Sequence, residues 1–426
     1  MSDRAPLIDR VAVLRPLRVR DFRMLWIGTT VSLLGDGIFP VALAWEVLHL
    51  SNSATALALV GVTWSLPQIP LILLAGVVTD RLDRRHVIVA ASLGQGVAVL
   101  AMALLSLAGR LELWHVFALA VLFGTGEAFF MPPVNALVAD VVPQELLVEA
   151  NSNRQTVRPL AMNFIGPALG GVIVGALGSG WAFMADAVSF AAAAVFVLAI
   201  RHRPAPRERT EQSVWQDARV GLRYVRERTW LWGAMVAATV VLLVYLGPFE
   251  VLIPFIVKNG LHGSAADLGL VFAAGGLGAI AVSVVVGQRG LPRRAVTFMY
   301  VAWIVATGVL AAFALVQNVW QAMLVSAVMN GAFSGLIVVW YTLMQTLVPR
   351  SLLGRVSSID WLISAALVPV SFAITGPIAG AIGARATVAI AGISGTVILV
   401  LFVLLVPGLR DPERDGSLRH DRMLGG

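Results

Sequence analysis

Twelve long apolar segments, separated by short polar stretches, dominate the sequence. The runs at 187–200 and 387–406 contain no charged residue. A helix needs about 20 apolar residues to cross a bilayer, whereas membrane β-strands alternate with a period of two that these runs lack. Because 58% of the residues are hydrophobic and 13% are charged, the chain is predicted to be an all-α membrane protein. The predicted transmembrane helices are 22–48, 57–79, 86–108, 114–139, 158–178, 181–200, 230–257, 265–287, 294–316, 320–346, 357–383 and 385–407.

The basic residues fall almost entirely on one side of this topology. Assigning the loops to alternating sides places 28 of the 31 Lys and Arg on the side of both termini. Because loops rich in Lys and Arg stay in the cytoplasm, both termini are predicted to be cytoplasmic. The ratio of 30 Arg to 1 Lys is typical of a GC-rich bacterial genome, so the predicted location is the bacterial cytoplasmic membrane. These charges attract anionic membrane lipids, and no basic soluble face indicates a nucleic-acid partner.

Several kinds of chemistry lack the residues that they need. Cysteine is absent, which excludes disulfides and thiolate metal sites. The six histidines lie in or beside polar loops, and the only lysine, Lys258, follows Val257 instead of the Gly that a P-loop requires. An intramembrane serine protease needs a buried His, and the helix around Asp36 lacks the first Gly of the GxGD pattern of an intramembrane aspartyl protease. The sequence therefore predicts no metal, no cofactor and no enzymatic activity.

The chain contains two copies of a six-helix unit. An offset of about 206 to 210 residues aligns the apolar helix starts at 25–26 and 231–232, the loops at 142–147 and 348–353, and the GPxxG segments at 166–170 and 376–380. The matches are collinear, which indicates a parallel duplication. The predicted domains are a cytoplasmic N-terminal segment at 1–21, an N-terminal six-helix domain at 22–200, a cytoplasmic linker at 201–229, a C-terminal six-helix domain at 230–407 and a cytoplasmic tail at 408–426.

The linker is predicted to contain an amphipathic helix. Val214, Ala218, Leu222 and Val225 recur at helical spacing, and charged residues occupy the other faces. This pattern is typical of a helix that lies in the inner membrane interface. The alternative is a helix that binds a calmodulin-like partner.

The segment from Gly76 to Arg85, GVVTDRLDRR, resembles motif A of the major facilitator superfamily, GxxxDRxGRR. Asp83 stands where the motif has Gly. The resemblance extends over nearly the whole chain and implies the major facilitator fold, with twelve transmembrane helices in two six-helix repeats.

Motif A implies a gating role for a set of charged residues. Asp80 is expected to meet the start of the eleventh helix, and Arg84 to bridge Asp80 to Asp140 at the inner end of the fourth helix. Gly76 is expected to allow close approach of two helices. Arg81 belongs to the same motif. The alternative is that these residues only determine topology.

A second motif lies in the fifth predicted helix. Gly166, Pro167, Gly170 and Gly171 are similar to motif C, GPxxGG, of the superfamily's antiporters, which implies export. Pro167 removes a backbone hydrogen bond, and the glycines permit close packing. The expected partner is the eighth helix at Gly275, Gly276 and Gly278. Ordinary small-residue helix packing is the alternative explanation.

Three further segments are similar to the branch of the superfamily that contains the enterobactin exporter, macrolide efflux proteins and mycobacterial Tap-like multidrug pumps. They are DFRMLW at 21–26, LGD at 34–36 and GLRYV at 221–225. The Arg that drug and proton antiporters carry in the RxxQG motif of the fourth helix is replaced by Ala120. The sequence therefore lacks that proton-coupling residue.

Two acidic residues are predicted near the middle of the membrane. Asp36 and Glu127 lie about 14 residues into the first and fourth helices, or roughly 20 Å at 1.5 Å per residue. Charges in the bilayer are costly, which makes both functional candidates, with Asp36 the preferred one for proton coupling or substrate binding. Glu46, Asp186 and Glu250 are predicted nearer the outer surface. The polar and aromatic residues expected at cavity depth are Trp64, Gln68, Asn163, Tyr245, Asn330, Trp340, Tyr341 and Gln345.

The resulting prediction is a monomeric, proton-coupled exporter of hydrophobic or cationic small molecules that works by alternating access. No Arg, Lys or His is predicted deep in the helices, which favours neutral or cationic cargo. One alternative is a dedicated exporter of a siderophore or a lipid. Another is a membrane sensor that does not transport, although such a protein is expected to lose motif A.

Overall fold

The computed structural model describes residues 12–201 and 214–414, and the twelve predicted transmembrane helices are present. Parts of the predicted N-terminal segment, linker and tail lie outside these residues. The long helices, numbered in chain order, are α1 (Arg20–Leu50), α2 (Ala54–Ser65 with Gln68–Arg81), α3 (Arg84–Leu107), α4 (Leu113–Val141), α5 (Leu147–Pro159, Leu160–Ile165 and Gly166–Leu177), α6 (Ser179–Leu198), α7 (Thr229–Gly247, Pro248–Leu252, Ile253–Phe255 and Ile256–Gly260), α8 (Ala265–Arg289), α9 (Ala295–Ala312), α10 (Val319–Leu347), α11 (Arg350–Ala366 with Val368–Ile382) and α12 (Ala384–Leu405).

Short helices supplement the long ones. Ala12–Arg18 and Gln144–Leu146 are 3₁₀ segments, and Asp411–Arg414 is a single turn. Val214–Arg226 is the linker helix.

Two helices begin earlier than the hydropathy predicted. α5 starts at Leu147 instead of 158, and α11 starts at Arg350 instead of 357. Polar and charged residues interrupt the apolar ones in the first turns of both helices, so a search for continuous apolar runs does not detect these turns. In α5 the extension places Arg154 and Arg158 inside the helix.

Proline explains the irregular stretches of three helices. Proline has no backbone N–H and cannot continue the helical hydrogen-bond ladder. α2 is interrupted at Leu66 and Pro67. In α5 a π-helical stretch, Leu160–Ile165, comes directly before Gly166 and Pro167. In α7 π-helical turns begin at Pro248 and follow Pro254. Such π segments occur often at functional sites.

The described residues form two compact units. Unit 1 comprises 12–52, 63–201 and 263–273, and unit 2 comprises 53–62, 214–262 and 274–414. Unit 1 is therefore built mostly from α1 to α6 and includes the first turns of α8. Unit 2 is built mostly from α7 to α12 and includes the first turns of α2.

The core of unit 1 lies where α1, α3, α4 and α6 meet. Phe22 and Leu25 of α1 pack with Ile88 of α3, Leu137 of α4 and Val197 of α6. All five side chains are buried, and burial of each stabilises the folded state by about 1.5–3 kcal/mol in a water-based reference. In the bilayer, where lipid tails are as apolar as these side chains, the stabilisation comes mainly from their close packing.

The linker helix packs one face on unit 2. Tyr224 and Val225 are buried, and the Tyr224 hydroxyl donates to the Leu347 carbonyl at 3.1 Å. Burial raises the pKa of this hydroxyl above its ordinary value. A Cβ on Gly221 would lie 2.9 Å from Ile359 Cδ1 of α11. The predicted membrane-facing helix therefore also contacts protein, whereas Leu222 remains 43% exposed.

Asp83, which replaces the motif A glycine, caps α3. Its carboxylate accepts a hydrogen bond from the Arg85 backbone N–H at 2.9 Å and from Arg85 Nη2 at 2.7 Å. Arg85 Nη1 also donates to the Ile200 carbonyl at 2.8 Å, which joins the start of α3 to the end of α6. The hydrogen bonds from the Arg85 side chain hold the pKa of Asp83 below its ordinary value.

Removing this cap is expected to lower stability modestly. Asp83→Ala should cost about 1 kcal/mol because the first turn of α3 loses its side-chain acceptor, and Asp83→Asn should cost less because an amide oxygen still caps. Since the folded-state pKa is lowered, the stabilisation is present above the ordinary pKa and is lost as the pH falls through the lower value. Thermal unfolding in detergent between pH 3 and 7 measures both effects. Equal midpoints for Asp83→Ala and wild type would contradict the capping role.

Candidate functional site

Asp36 lies where α1 approaches two other helices of unit 1. On either side of it, Gly35 and Gly37 lie so close to atoms of other helices that a Cβ on either residue would clash. Gly35 faces Asp186 Oδ1 and Ser189 of α6, and a Cβ on Gly37 would lie 2.8 Å from the Ala161 carbonyl oxygen of α5. The glycines therefore allow α1 to pack tightly on α5 and α6 at the level of the Asp36 carboxylate.

The prediction that Asp186 lies near the outer rim is wrong. Asp186 is 0% exposed, and Ser189 Oγ donates to its Oδ1 at 3.2 Å. Its Oδ2 has no hydrogen-bond partner among the described residues. Counting residues from the helix end missed Asp186, because its burial depends on the packing of α6 against Gly35. The other two acids assigned to the rim, Glu46 and Glu250, are partly or largely exposed.

Glu127 of α4 is held by two predicted cavity residues. Trp64 Nε1 and Gln68 Nε2 both donate to Glu127 Oε2, at 2.6 and 3.0 Å. The Trp64 ring also meets Phe39 and Phe123 edge-on, and these two rings stack with centroids 4.6 Å apart. The indole is thus fixed on both its polar and its apolar side.

The approach of α2 to α4 depends on Gly124. A Cβ on Gly124 would lie 3.0 Å from the Trp64 carbonyl carbon, so only glycine leaves room for the backbone of α2. Glu127 follows Gly124 by three residues and lies on the same helix face. Trp64 and Gln68 are four residues apart on α2, and Gln68 Nε2 also donates to the Trp64 carbonyl at 3.3 Å, so both side chains approach the carboxylate from the same face of α2.

The charges of the three acids are coupled through the same region. Glu127 and Asp186 each interact electrostatically with Asp36, and the positive charge of Arg158 acts on both Asp36 and Glu127. Because α5 begins at Leu147, Arg158 lies inside the helix instead of at its start, and its side chain is exposed. The acid site, defined as Asp36, Glu127 and Asp186, thus has a basic neighbour.

The motif C glycines lie at close contacts in unit 1. A Cβ on Gly166 would lie 2.6 Å from Gly37 Cα, and one on Gly170 would lie 3.0 Å from the Ile38 carbonyl oxygen. Both glycines therefore allow α5 to pack closely against α1 beside Asp36. Pro167, between them, is buried and lacks the N–H that would bond to the Asn163 carbonyl.

The predicted contact of motif C with α8 is present at different residues. A Cβ on Gly171 would lie 2.9 Å from Gly269 Cα in the first turns of α8. Gly275 instead faces Asn330 of α10, and Gly278 faces Ala327 of α10. The sequence indicated small residues in α8 but not which turn α5 contacts.

A methyl group at Gly166 is expected to disturb this packing. Gly166→Ala should lower stability by about 1–3 kcal/mol, because the added Cβ meets backbone atoms that cannot move aside. The matched control is Gly380→Ala in the repeat, where a Cβ has no described atom within 4 Å. Thermal unfolding of both variants in detergent tests the difference, and equal midpoints would contradict it.

In motif A the predicted Arg84 and Asp140 pair is present. Arg84 Nη1 donates to Asp140 Oδ2, and both side chains are largely buried, with 7% and 14% exposed. The pair joins the start of α3 to the end of α4. Arg81 is exposed. The Asp80 side chain lies outside what the structure describes, and its contact with α11 stays a prediction.

The expected close approach at Gly76 is not seen. No described atom lies within 4 Å of the position that its Cβ would take. The gating role of motif A stays a prediction, and Gly76 adds no close helix contact to it among the described residues.

The other cavity candidates do not join the acid site. In unit 2, Tyr245 stacks on Phe249 and Phe333, with ring centroids 5.6 and 6.1 Å away. Asn330 Nδ2 donates to the Ser326 carbonyl of its own helix at 3.0 Å. In unit 1, Asn163 is exposed within the π-helical part of α5.

Trp340 is buried, and its Nε1 donates to Asp360 Oδ2 of α11 at 3.1 Å. Asp360 itself was missed, because an acid near a predicted helix end gives no strong signal. Tyr341 and Gln345 are exposed on α10. Across the described ranges, no three His, Asp or Glu side chains are grouped to hold a metal ion.

Comparisons with known proteins agree with one another. A family model described as a transmembrane secretion effector matches residues 11–422. The multidrug efflux pump Tap of Mycolicibacterium fortuitum is 29% identical over 368 residues, covering 83% of this chain and 88% of that protein. The enterobactin exporter EntS of Citrobacter koseri is 26% identical over 396 residues, covering 90% and 91%. A crystal structure of the nucleoside transporter NupG gives a TM-score of 0.70 at 13% identity, covering 90% of this chain and 99% of that one, which indicates a shared fold.

Proposed function

The chain belongs to the transmembrane secretion effector family of the major facilitator superfamily, and on that premise we propose that it is a proton-coupled exporter of hydrophobic or cationic small molecules. The chain is a multi-pass membrane transporter with efflux-pump relatives. The coupling to protons, the chemical class of the substrate and the outward direction of transport are what we propose.

The observation that carries the proposal is the acid site of unit 1. Burying ionised carboxylates together is costly unless a cation or a proton neutralises them. Among the described basic residues, Arg158 alone acts on the charges of Asp36 and Glu127, so the three acids outnumber the basic group that acts on them. Protons or a cationic substrate can supply the missing positive charge, and competition between the two provides a means of exchange.

The three acids are expected to differ in role. Glu127 is fixed by Trp64 and Gln68 at 2.6 and 3.0 Å, which suits a group that orients a bound molecule beside aromatic rings. Asp36 has no hydrogen-bond donor among the residues that the structure describes, so its proton can exchange with little rearrangement. Asp36 is therefore the proposed proton carrier, and the buried Asp186 tunes its charge.

Alternating access supplies the transport step in this proposal. Two six-helix halves rock about the substrate site and expose it to each side of the membrane in turn. Asp80, Arg81, Arg84 and Asp140 of motif A gate that movement. The proposed protein works as a monomer in a bacterial cytoplasmic membrane with anionic lipids around its basic loops.

A dedicated siderophore exporter is the second candidate. Arg154 and Arg158 lie inside α5, and Arg158 acts on the acid site. An anionic catecholate would find partners in these two guanidinium groups, and the similarity to EntS agrees with that cargo.

Transport into everted membrane vesicles decides between these functions. Vesicles energised with a proton gradient are given a fluorescent cationic dye, a neutral macrolide or an anionic catecholate siderophore, with and without a protonophore. The proposal expects uptake of the dye or the macrolide and its loss with the protonophore. Uptake of the catecholate alone would favour the second candidate, and uptake that resists the protonophore would contradict proton coupling.

The proposed orientation is testable because the chain has no cysteine. Single cysteines at Ser51, between α1 and α2, and at Arg228, before α7, should react with a membrane-impermeant maleimide from opposite sides. In intact cells Ser51→Cys should label and Arg228→Cys should not, because Lys and Arg accumulate on the cytoplasmic side. Labelling of position 228 in intact cells would reverse the topology.

A further inference from the structure

Unit 2 contains a cavity of about 150 Å³ between α7, α9, α10 and α11. It shares no residue with the acid site of unit 1. Ala234 and Ala238 line its α7 side, and their small side chains leave the space open. A separate site within unit 2 is therefore available to a ligand.

Asp360 of α11 lies in the wall of this cavity. It is 8% exposed, and its Oδ2 accepts a hydrogen bond from Trp340 Nε1 at 3.1 Å. Trp340 is itself fixed by Trp230, whose ring meets it edge-on at 6.2 Å. The hydrogen bond holds the carboxylate in place, and no Lys, Arg or His belongs to the described lining that could neutralise it.

Aromatic rings make up much of the remaining wall. Five of the thirteen lining residues are aromatic, namely Trp303, Phe333, Trp340, Tyr341 and Trp361. Trp303 and Trp340 are buried, whereas Tyr341 and Trp361 are 49% and 40% exposed and mark where the cavity reaches the surface. Ring faces attract cations, and Trp does so most strongly.

We propose that this cavity binds a compact organic cation whose charge is matched by Asp360. The carboxylate and the faces of the aromatic rings attract the positive charge of a ligand. The same rings pack against the apolar part of that ligand. An apolar cavity of about this volume accommodates a molecule of the size of benzene. The ligand class is therefore a single-ring ammonium or amidinium compound, smaller than a multi-ring drug.

Equilibrium dialysis of the purified full-length protein in detergent tests the site without transport. The probes are radiolabelled benzylammonium and its neutral analogue benzyl alcohol, each corrected for binding to empty micelles. Saturable binding of benzylammonium is expected, with a weaker affinity for benzyl alcohol. Asp360→Asn should weaken benzylammonium binding by about tenfold or more, because the counter-charge is lost, and should leave benzyl alcohol unchanged.

Two further variants locate the binding. Ala238→Leu should block both probes, because the larger side chain fills the cavity without altering a charge. Glu46→Gln, in α1 of unit 1 and outside both this cavity and the acid site, should bind benzylammonium as the wild type does. Equal affinity of the wild type for the two probes would overturn the proposal. So would benzylammonium binding that survives both Asp360→Asn and Ala238→Leu, or that is lost in Glu46→Gln. Because no proton gradient is used, these results are independent of the proposed export function.

Discussion

Replacing Asp36 with Asn is expected to reduce uphill, protonophore-sensitive efflux to the level of vesicles without the transporter. The amide keeps the size of the side chain, so packing of α1 on α5 and α6 through Gly35 and Gly37 should survive. An amide does not take up and release a proton near neutral pH, so the substrate can no longer be exchanged for protons. Substrate binding and downhill movement should remain.

The matched control is Glu46→Gln on the same helix. Glu46 accepts a hydrogen bond from Ser106 Oγ at 2.9 Å and lies outside the acid site, so its loss should leave the pH dependence of efflux unchanged. Dye efflux in everted vesicles across a pH series, at matched expression, compares the two variants. Full pH-dependent efflux by Asp36→Asn would refute the assignment and make Glu127 the next acid to test.

Helix number was predictable because it follows from length and apolarity, which each segment carries in its own sequence. The start of α5 was not predictable in this way. Residues 147–157 are mostly polar, and they begin a helix whose continuous apolar part comes later. This error also placed Arg158 at the start of the helix instead of inside it.

The candidate site was only partly predictable for a related reason. Depth along a helix can be counted, which indicated Asp36 and Glu127. Contacts between helices cannot be obtained by counting along the sequence, and they determine which other residues belong to the site. Asp186 is buried because Gly35 lets α6 approach α1, and Trp64 reaches Glu127 because Gly124 admits the backbone of α2. A glycine in a transmembrane segment signals close packing but does not identify the partner.

Breaking the Arg84 and Asp140 pair is expected to lower both stability and transport. Arg84→Ala leaves the Asp140 carboxylate largely buried without its partner, and such a loss costs about 3–5 kcal/mol. The double variant Arg84→Met with Asp140→Leu should recover most of that stability, because two apolar side chains replace two charges. It should still transport poorly if the pair also gates the movement of the two halves.

The comparison requires thermal unfolding in detergent and dye efflux on the same preparations. Arg81→Ala is the control for stability, since Arg81 is exposed in the same motif and its loss should leave the thermal midpoint within the error of the wild type. An unchanged midpoint for Arg84→Ala would show that the pair does not hold α3 to α4. A double variant with normal stability and wild-type efflux would assign the pair to folding alone. Normal stability with lost efflux would separate the two roles, because packing would then be intact while the charges needed for gating are gone.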